Sequence, residues 1–263
     1  MTTEEKYHEL LHNLKAMQRV LIAYSGGVDS SFLLRAACEA LPSSSIFAAT
    51  FSTPYTPRSE MEEVATVVKG LEIHHQIISL PLAPKLRTNP AERCYLCKRE
   101  LFEHLLEHAQ SERVSHVLDG TNADDSYEYR PGLRALEELG IESPLGQAGL
   151  TKAEIRSLSR SLGLPTWDKP ANACLLTRIP HDTQVEESDL IRIDTAEDFL
   201  RHNGFPAIRV RCHGNTARLE LPPEMISTML TTKTRQKIDE KLKLLGFRHV
   251  SVDLLGYRTG SLD

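Results

Sequence analysis

The sequence predicts an α/β fold: a doubly wound parallel sheet followed by a smaller α+β domain. Three observations lead there. Over the first ~165 residues, short continuous apolar runs alternate with helical patterns, the signature of parallel strands covered on both faces by their crossover helices. Beyond residue ~185 the order changes to helix, two strands in quick succession, helix and strand, which is not a continuation of a doubly wound sheet. Between them, Leu164–Pro180 carries three prolines and the single Trp with no sustained periodicity. The boundary is therefore placed within residues 165–185, giving domains 1–170 and 171–263, with the Cys174 linker in the second. No internal repeat or low-complexity tract is evident.

Residues 5–18 read as a helix, with Leu10, Leu11, Leu14 and Met17 on one face. Residues 19–24 are a buried strand, followed by a Ser/Gly-rich turn and a helix from Asp29 to Leu41. Ile46–Phe51 reads as a strand, Ser59–Lys69 as a helix, Ile73–Ser79 as a strand, Cys97–Ala109 as a helix and Val114–Leu118 as a strand. Residues 131–163 read as mostly helical, broken at Pro144 and restarted at Thr151, where Thr-Lys-Ala-Glu resembles a capping box. The second domain is expected to hold a helix over 186–203, strands at Ile208–Cys212 and Ala217–Leu221, a helix over 232–245 and a strand at His249–Leu254.

Composition narrows the function classes. The chain has 263 residues, and 31 Lys+Arg against 36 Asp+Glu leave a net charge of −5. Hydrophobic residues at 40% and charged residues at 25% exclude a largely disordered chain. The acidic total argues against the broad basic surface of a tRNA enzyme. The longest apolar runs, such as Val20–Tyr24, fall far short of the ~20 residues a membrane span needs, so no membrane association is expected. The start, Met1-Thr2-Thr3-Glu4-Glu5, does not read as a secretory signal. With five cysteines, an odd number, and no such signal, thiols or metal ligands are expected rather than a disulfide framework, in a cytoplasmic protein.

The sharpest motif is Ser25-Gly26-Gly27-Val28-Asp29-Ser30-Ser31, between the strand ending at Tyr24 and a helix. Glycines let backbone approach an anion, hydroxyls and helix N-terminal N–H groups aim donors at phosphate oxygens, and a carboxylate at Asp29 can hold nucleotide-borne Mg²⁺. Neither the Walker spacing with its Lys nor Gly-x-Gly-x-x-Gly is present. The alternative reading is a tight Gly-Gly turn capped by Ser and Asp. Ser-Gly-Gly-x-Asp-Ser resembles the pyrophosphate loop of the N-type ATP pyrophosphatases, which adenylate substrates. A second segment, Leu118–Asp125 with Gly120, follows another strand and should emerge at the same carboxyl edge, where open α/β sheets bind ligands. Alone it would be an ordinary Asp/Asn/Gly turn.

Cys38 reads as core and Cys212 as a strand residue. Cys94-Tyr95-Leu96-Cys97 stands at a helix start beside Arg93, Lys98 and Arg99, a setting that lowers thiol pKa. It suits a redox pair, half a zinc site or part of an iron–sulfur site. Cys174, in the aperiodic linker near Arg178, is a nucleophile candidate or a buried structural thiol.

Taken together, Ser25–Ser31, Gly120–Tyr129, Ala173-Cys174-Leu175-Leu176-Thr177-Arg178-Ile179-Pro180 and Arg209–Leu221 resemble the ATP-dependent sulfur transferases of the LarE family, from about residue 15 to near the C-terminus. The resemblance implies a PP-loop ATP pyrophosphatase domain and a small domain for substrate and oligomerisation. It further implies adenylation of a carboxylate of pyridinium-3,5-biscarboxylic acid mononucleotide and its conversion to a thiocarboxylate for nickel-pincer cofactor synthesis. ATP and Mg²⁺ would be held by Ser25, Gly26, Gly27, Asp29, Ser30 and Gly120. Cys174 matches the sulfur donor, Arg209 and Arg211 match positions near the substrate phosphate, and Glu197 and Glu220 match acidic positions linked to metal. One-cysteine members lack Cys94 and Cys97; relatives that carry the pair are thought to hold a [4Fe-4S] cluster with three cysteines, here Cys94, Cys97 and Cys174. A homo-oligomer acting on a small nucleotide is expected. The rival readings are another adenylating enzyme of this group, for tRNA thiolation or amide formation, and a nucleotide-binding regulator without turnover.

Overall fold

The computed structural model describes residues 1–127, 131–170 and 173–257. Of the segments singled out above, Glu128, Tyr129, Ala171 and Asn172 lie outside the described residues. The chain separates into two compact units, one of Met1–Ser52, Glu60–Leu80 and Glu92–Asn172, the other of Thr53–Ser59, Pro81–Ala91 and Ala173–Asp263.

The first unit is built on four parallel strands: β1 (Val20–Ala23), β2 (Ile46–Ser52), β3 (His74–Ser79) and β4 (His116–Leu118), in the order β3-β2-β1-β4. Alternation along each strand divides two cores. Val20, Ile22, Ile46, Ala48 and Leu118 point to one face, where they meet Leu10 and Leu14 of α1 (Thr3–Met17), Phe32, Leu33, Ala36 and Ala37 of α2 (Val28–Ala40), Val64 and Val68 of α3 (Arg58–Val68) and Ile155 of α7 (Lys152–Ser161). Leu21, Phe47, Ala49 and Val117 point to the other, against Phe102, Leu105 and Ala109 of α4 (Arg93–Ser111) and Leu136 of α5 (Pro131–Glu138). β1 and most of β2 are buried on both faces and their apolar runs are continuous in sequence, whereas β3, at the sheet edge, is largely exposed. The expected break at Pro144 takes a different form: Pro144 opens a short helix, α6 (Pro144–Gln147), at a position where its missing N–H costs nothing.

From β1 the chain winds outward through β2 to β3, whereas β4 lies on the opposite side of β1. The order therefore reverses between β1 and β4, which makes the carboxyl ends of these two strands the topological switch point, the place where open α/β sheets form their binding crevice.

The second unit packs α8 (Glu187–His202), α9 (Pro223–Met229) and α10 (Thr232–Leu244) with a mixed sheet of β5 (Arg209–His213), β6 (Thr216–Glu220) and β7 (His249–Val252). β5 and β6 are antiparallel, and β7 runs parallel to β6. The expected element sequence is present; α9 was not foreseen, since its seven residues begin at Pro223, directly after Pro222, and carry one buried side chain, Met229. The segment after Ala173 is packed core: Leu175, Leu176 and Ile179 are buried, and Leu175–Arg178 closes a single 3-10 turn.

Candidate active site

In the first unit, the turn after β1 places Gly26 at φ +70°, a left-handed conformation, and a Cβ there would stand 2.7 Å from Val64 Cγ2. Only glycine fits without displacing α3. Gly27 is the N-cap of α2 and brings no capping side chain to the helix start. The hydroxyls are drawn together: Ser25 Oγ lies 3.1 Å from Ser30 Oγ, and Gly27 N–H donates to Ser25 Oγ at 3.4 Å. Neutral donors at a helix N-terminus are a setting that can hold an anion.

Asp29 stands in the first turn of α2. Its Oδ2 accepts from Lys152 Nζ, while its Oδ1 is buried with no hydrogen-bond partner. Burial pushes its carboxyl above the ordinary value, and the Lys152 ammonium pulls the other way. A buried carboxylate oxygen without a hydrogen-bond partner has the chemistry to accept a cation.

The second wall is built by β4 and its loop. A Cβ on Gly120 would lie 3.0 Å from Ser30 N and 3.3 Å from Asp29 Cβ, so this glycine allows the loop to lie directly on the start of α2. Asp119, buried, fixes the turn by accepting from Thr121 N–H at 3.1 Å and Ser143 Oγ at 2.6 Å. Lys169 donates to Gly26 O at 3.0 Å and pairs with Glu63, bracing the left-handed turn. Arg156 holds the strand of backbone that carries Lys169, donating to Trp167 O and Lys169 O at 2.8 Å each. Asp119 lies in the segment expected to form this wall, whereas Lys152 and Lys169 were not foreseen as site residues: each is an ordinary polar residue in sequence, brought in by tertiary structure.

Cys94 and Cys97 fall in the first turn of α4, one turn apart, Cys94 exposed and Cys97 half-buried. The helix begins at Arg93 rather than Cys97, so both thiols belong to its N-terminal turn. Cys38 packs beside the α1–α2 core, as expected for a structural thiol.

The second unit holds a buried network of charge. Arg178, 2% exposed, reaches Glu197 in a two-point contact of 2.9 and 3.2 Å. Its remaining nitrogen donates to Ala173 O (2.9 Å), Cys174 O (3.3 Å) and Thr177 Oγ1 (2.7 Å). Burial opposes this charge, yet the Glu197 carboxylate holds the guanidinium above its ordinary pKa. Glu197 also accepts from Val210 N–H at 3.0 Å. Arg209 and Arg211 alternate along β5; Arg211 pairs with Glu220 at 2.8 Å and donates to Thr177 O, while Arg218 binds the other Glu220 oxygen at 2.9 Å. Burial, with Arg178 nearby, lowers the pKa of Arg209, whose guanidinium lies 5.4 Å from the Tyr257 ring centre. Cys174, half-buried, precedes the 3-10 turn, and Leu175 N–H donates to Tyr55 O at 2.9 Å. Asn89 completes the anchorage, its Nδ2 donating to the carbonyls of Leu176 (3.2 Å), Ile179 (2.8 Å) and Pro180 (3.0 Å). Glu197 and Glu220 are thus engaged by guanidinium groups, and among the described residues no three His, Cys, Asp or Glu side chains gather as a metal site.

Among the described residues no helix is long and apolar enough to cross a membrane. No family model matches the chain. It is 32% identical over 264 residues to a pyridinium-3,5-bisthiocarboxylic acid mononucleotide synthase of Lactiplantibacillus plantarum, covering 100% of this chain and 95% of that protein. It is 37% identical over 262 residues to an uncharacterized protein of Synechocystis sp., covering 99% of this chain and 97% of the other. With an uncharacterized protein of Methanocaldococcus jannaschii it shares 34% identity over 258 residues, covering 97% and 98% respectively.

Proposed function

The chain belongs to the LarE family of pyridinium-3,5-bisthiocarboxylic acid mononucleotide synthases, and on that footing we propose that it is an ATP-dependent, AMP- and pyrophosphate-forming sulfur transferase. Its substrate would be the biscarboxylic acid mononucleotide, whose carboxylate becomes a thiocarboxylate for a nickel-pincer cofactor. The observation that carries the nucleotide half of this reading is Asp29: a half-buried carboxylate whose buried Oδ1 has no hydrogen-bond partner, within Ser25–Ser30 at the switch point.

A carboxylate has no usable leaving group, so it must be activated before sulfur can replace oxygen. The Ser25, Gly26, Gly27 and Ser30 donors, with Gly120 closing against them, would hold the β- and γ-phosphates so that the substrate carboxylate attacks the α-phosphorus and pyrophosphate departs. Mg²⁺ carried by ATP would neutralise phosphate charge, and the unpartnered oxygen of Asp29 fits it. Arg209 and Arg211 would meet the substrate phosphate. Glu197 and Glu220 would hold Arg178 and Arg211 in place, and no step is routed through a metal at these carboxylates. Sulfur then displaces AMP, from Cys174 itself or from a [4Fe-4S] cluster on Cys94, Cys97 and Cys174, which would supply sulfide; two thiols one turn apart suit two ligands of one such centre.

The test is pyrophosphate release. Purified protein with ATP, the biscarboxylic nucleotide and added sulfide should form pyrophosphate and AMP in equal amounts, and neither when the nucleotide substrate is omitted. ATP bound but never cleaved, with any nucleotide carboxylate, would favour a regulator instead.

A further inference from the structure

The chain leaves β7 through a tightly built turn that buries neither of its leucines. Asp253 N–H donates to Leu219 O at 2.9 Å, Asp253 Oδ1 accepts from Leu255 N–H at 3.0 Å, and Gly256 N–H donates to Asp253 O at 3.1 Å. Arg218 holds Asp253 in turn, at 3.3 Å. Gly256 has φ +68°, and a Cβ there would stand 2.3 Å from Leu221 O, so only glycine closes the turn without moving backbone. Leu254 and Leu255 nevertheless stay 85% and 62% exposed, so hydrophobic burial does not explain the turn. What it achieves is to return Tyr257 to the sheet: Tyr257 N–H donates to Leu221 O at 3.0 Å, and the residue keeps 40% exposure.

The place it reaches is chemically particular. The Arg209 guanidinium lies over the Tyr257 ring, 5.4 Å from its centre. Tyr257 is also near enough to Arg178 for its phenol to bear on the charge of that guanidinium, which donates to Ala173 O and Cys174 O. A guanidinium and a pyridinium are both planar cations, drawn to the electron-rich face of an aromatic ring. A ring that receives the first has the chemistry to receive the second. In a pyridinium mononucleotide one ribose joins phosphate to ring, so a guanidinium for the phosphate and an adjoining aromatic face for the ring suit the two ends of one ligand.

We propose that Tyr257 is a specificity-determining residue, its ring the platform on which the pyridinium ring of the substrate stacks while Arg209 beside it meets the phosphate. The inference rests on the substrate reading above and adds to it the group that recognises the ring. Guanidinium groups answer to phosphate charge and attract any sugar phosphate alike; the platform tells a pyridinium nucleotide from the rest. Stacking also fixes the attitude of the ring, so that its carboxylate is presented for activation in one orientation. The Gly256 turn holds the platform in register with β6.

The test compares two ligands by calorimetry on the full chain: pyridinium-3,5-biscarboxylic acid mononucleotide, and ribose 5-phosphate, which carries the sugar phosphate without the ring. The proteins are wild type, Tyr257→Leu, Tyr257→Phe and Gly256→Ala, each checked for folding by its melting curve. Tyr257→Leu is expected to lose at least about fivefold in affinity for the pyridinium nucleotide and less than about twofold for ribose 5-phosphate. Tyr257→Phe, which keeps the ring, should stay within about twofold of wild type for both. Gly256→Ala keeps the tyrosine but displaces it, and should show the same selective loss as Tyr257→Leu. Unchanged affinity for the pyridinium nucleotide in both Tyr257→Leu and Gly256→Ala, equal losses for the two ligands, or a Tyr257→Phe variant as impaired as Tyr257→Leu would each overturn the proposal. Wild-type protein that does not bind the pyridinium nucleotide at all would remove the substrate reading itself, a result distinct from these.

Discussion

Replacing Arg178 by Met removes the most deeply buried cation of the second unit and shows what it holds. The change deletes both contacts to Glu197, at 2.9 and 3.2 Å, and three to the backbone and hydroxyl of residues 173–177. Glu197, 1% exposed, is then left as a buried carboxylate supported by Val210 N–H and a 3.5 Å contact to Arg201. Breaking one side of a buried ion pair costs about 3–5 kcal/mol, because the remaining charge keeps its desolvation penalty without its partner. For a chain of this size that corresponds to a fall of roughly 10 °C in Tm. Urea denaturation followed by circular dichroism gives the free energy, and timed alkylation read by mass spectrometry gives the accessibility of Cys174. Both should change: stability falls and Cys174 reacts faster, since two carbonyls flanking it lose their donor. The Arg178→Met/Glu197→Leu variant should recover part of the stability, as a buried pair replaced together by apolar groups leaves no orphaned charge. A single variant that loses less than about 1 kcal/mol with unchanged alkylation, or a double variant no better than the single, would refute this account.

Other consequences can be checked more quickly. Asp29→Ala should lower AMP formation by at least about a hundredfold while the melting curve stays near wild type, since the residue lies in a loop-facing first turn; normal turnover in the folded variant would falsify the nucleotide-site assignment. Gly26→Ala forces a Cβ to 2.7 Å from Val64 Cγ2 at φ +70°, so it should cost about 1–2 kcal/mol and weaken ATP binding, measured by melting and calorimetry. Glu154 has its pKa lowered from 4.5 to about 2; burial works against this, and the hydrogen bonds from Lys6, Thr151 and Thr3 outweigh it. A depressed carboxylate stabilises above its unfolded pKa and loses that contribution as pH falls through the folded one. Glu154→Gln should therefore be less stable than wild type at pH 7, and the gap should narrow between about pH 5 and pH 2; a gap constant over that range would count against the coupling.

What could be read in advance was local. The Ser25–Ser30 loop is six contiguous residues flanked by an apolar run and a helix pattern, and that order survives folding intact. The two-sided burial of β1 and β2 is legible for the same reason, as runs with no polar face. The anchorage of residues 174–180 was not legible, because Tyr55 and Asn89 come from segments without periodicity that lie more than 80 positions upstream. Asn89 has a left-handed backbone, and its three carbonyl acceptors are all tertiary. Arg178 was noted for its nearness to Cys174; its larger role, a two-point contact to Glu197 across 19 positions, depends on how α8 packs. Lys152 sits in a capping box that was recognised for its backbone geometry, and nothing local distinguishes its side chain from a solvated lysine.

The source of sulfur separates two enzymes that share every feature of the nucleotide site. If Cys174 is the donor, its thiolate attacks the acyl-adenylate, AMP leaves with the electron pair of the broken carboxyl–oxygen bond, and a thioester joins the substrate to the protein. Loss of the Cα proton to a base then breaks the Cβ–Sγ bond, leaving thiocarboxylate on the product and dehydroalanine at 174. Each chain is spent after one transfer, and Cys94 and Cys97 are irrelevant to the yield. If the three cysteines instead hold a cluster that supplies sulfide, Cys174 survives, products per chain exceed one, and removal of either Cys94 or Cys97 stops turnover. The Arg178 contacts bear on both routes, because they fix the backbone on either side of Cys174. The experiment is anaerobic purification, iron and sulfide analysis, then reaction with ATP, substrate and added sulfide, counting thiocarboxylate per chain. Three cysteines in this arrangement of sequence favour multiple turnovers with Cys174 intact by mass spectrometry, lost in Cys94→Ala and in Cys97→Ala. Dehydroalanine at 174 with at most one product per chain, unaffected by either substitution, would assign the sulfur to Cys174 and leave the pair on α4 without a part in the transfer.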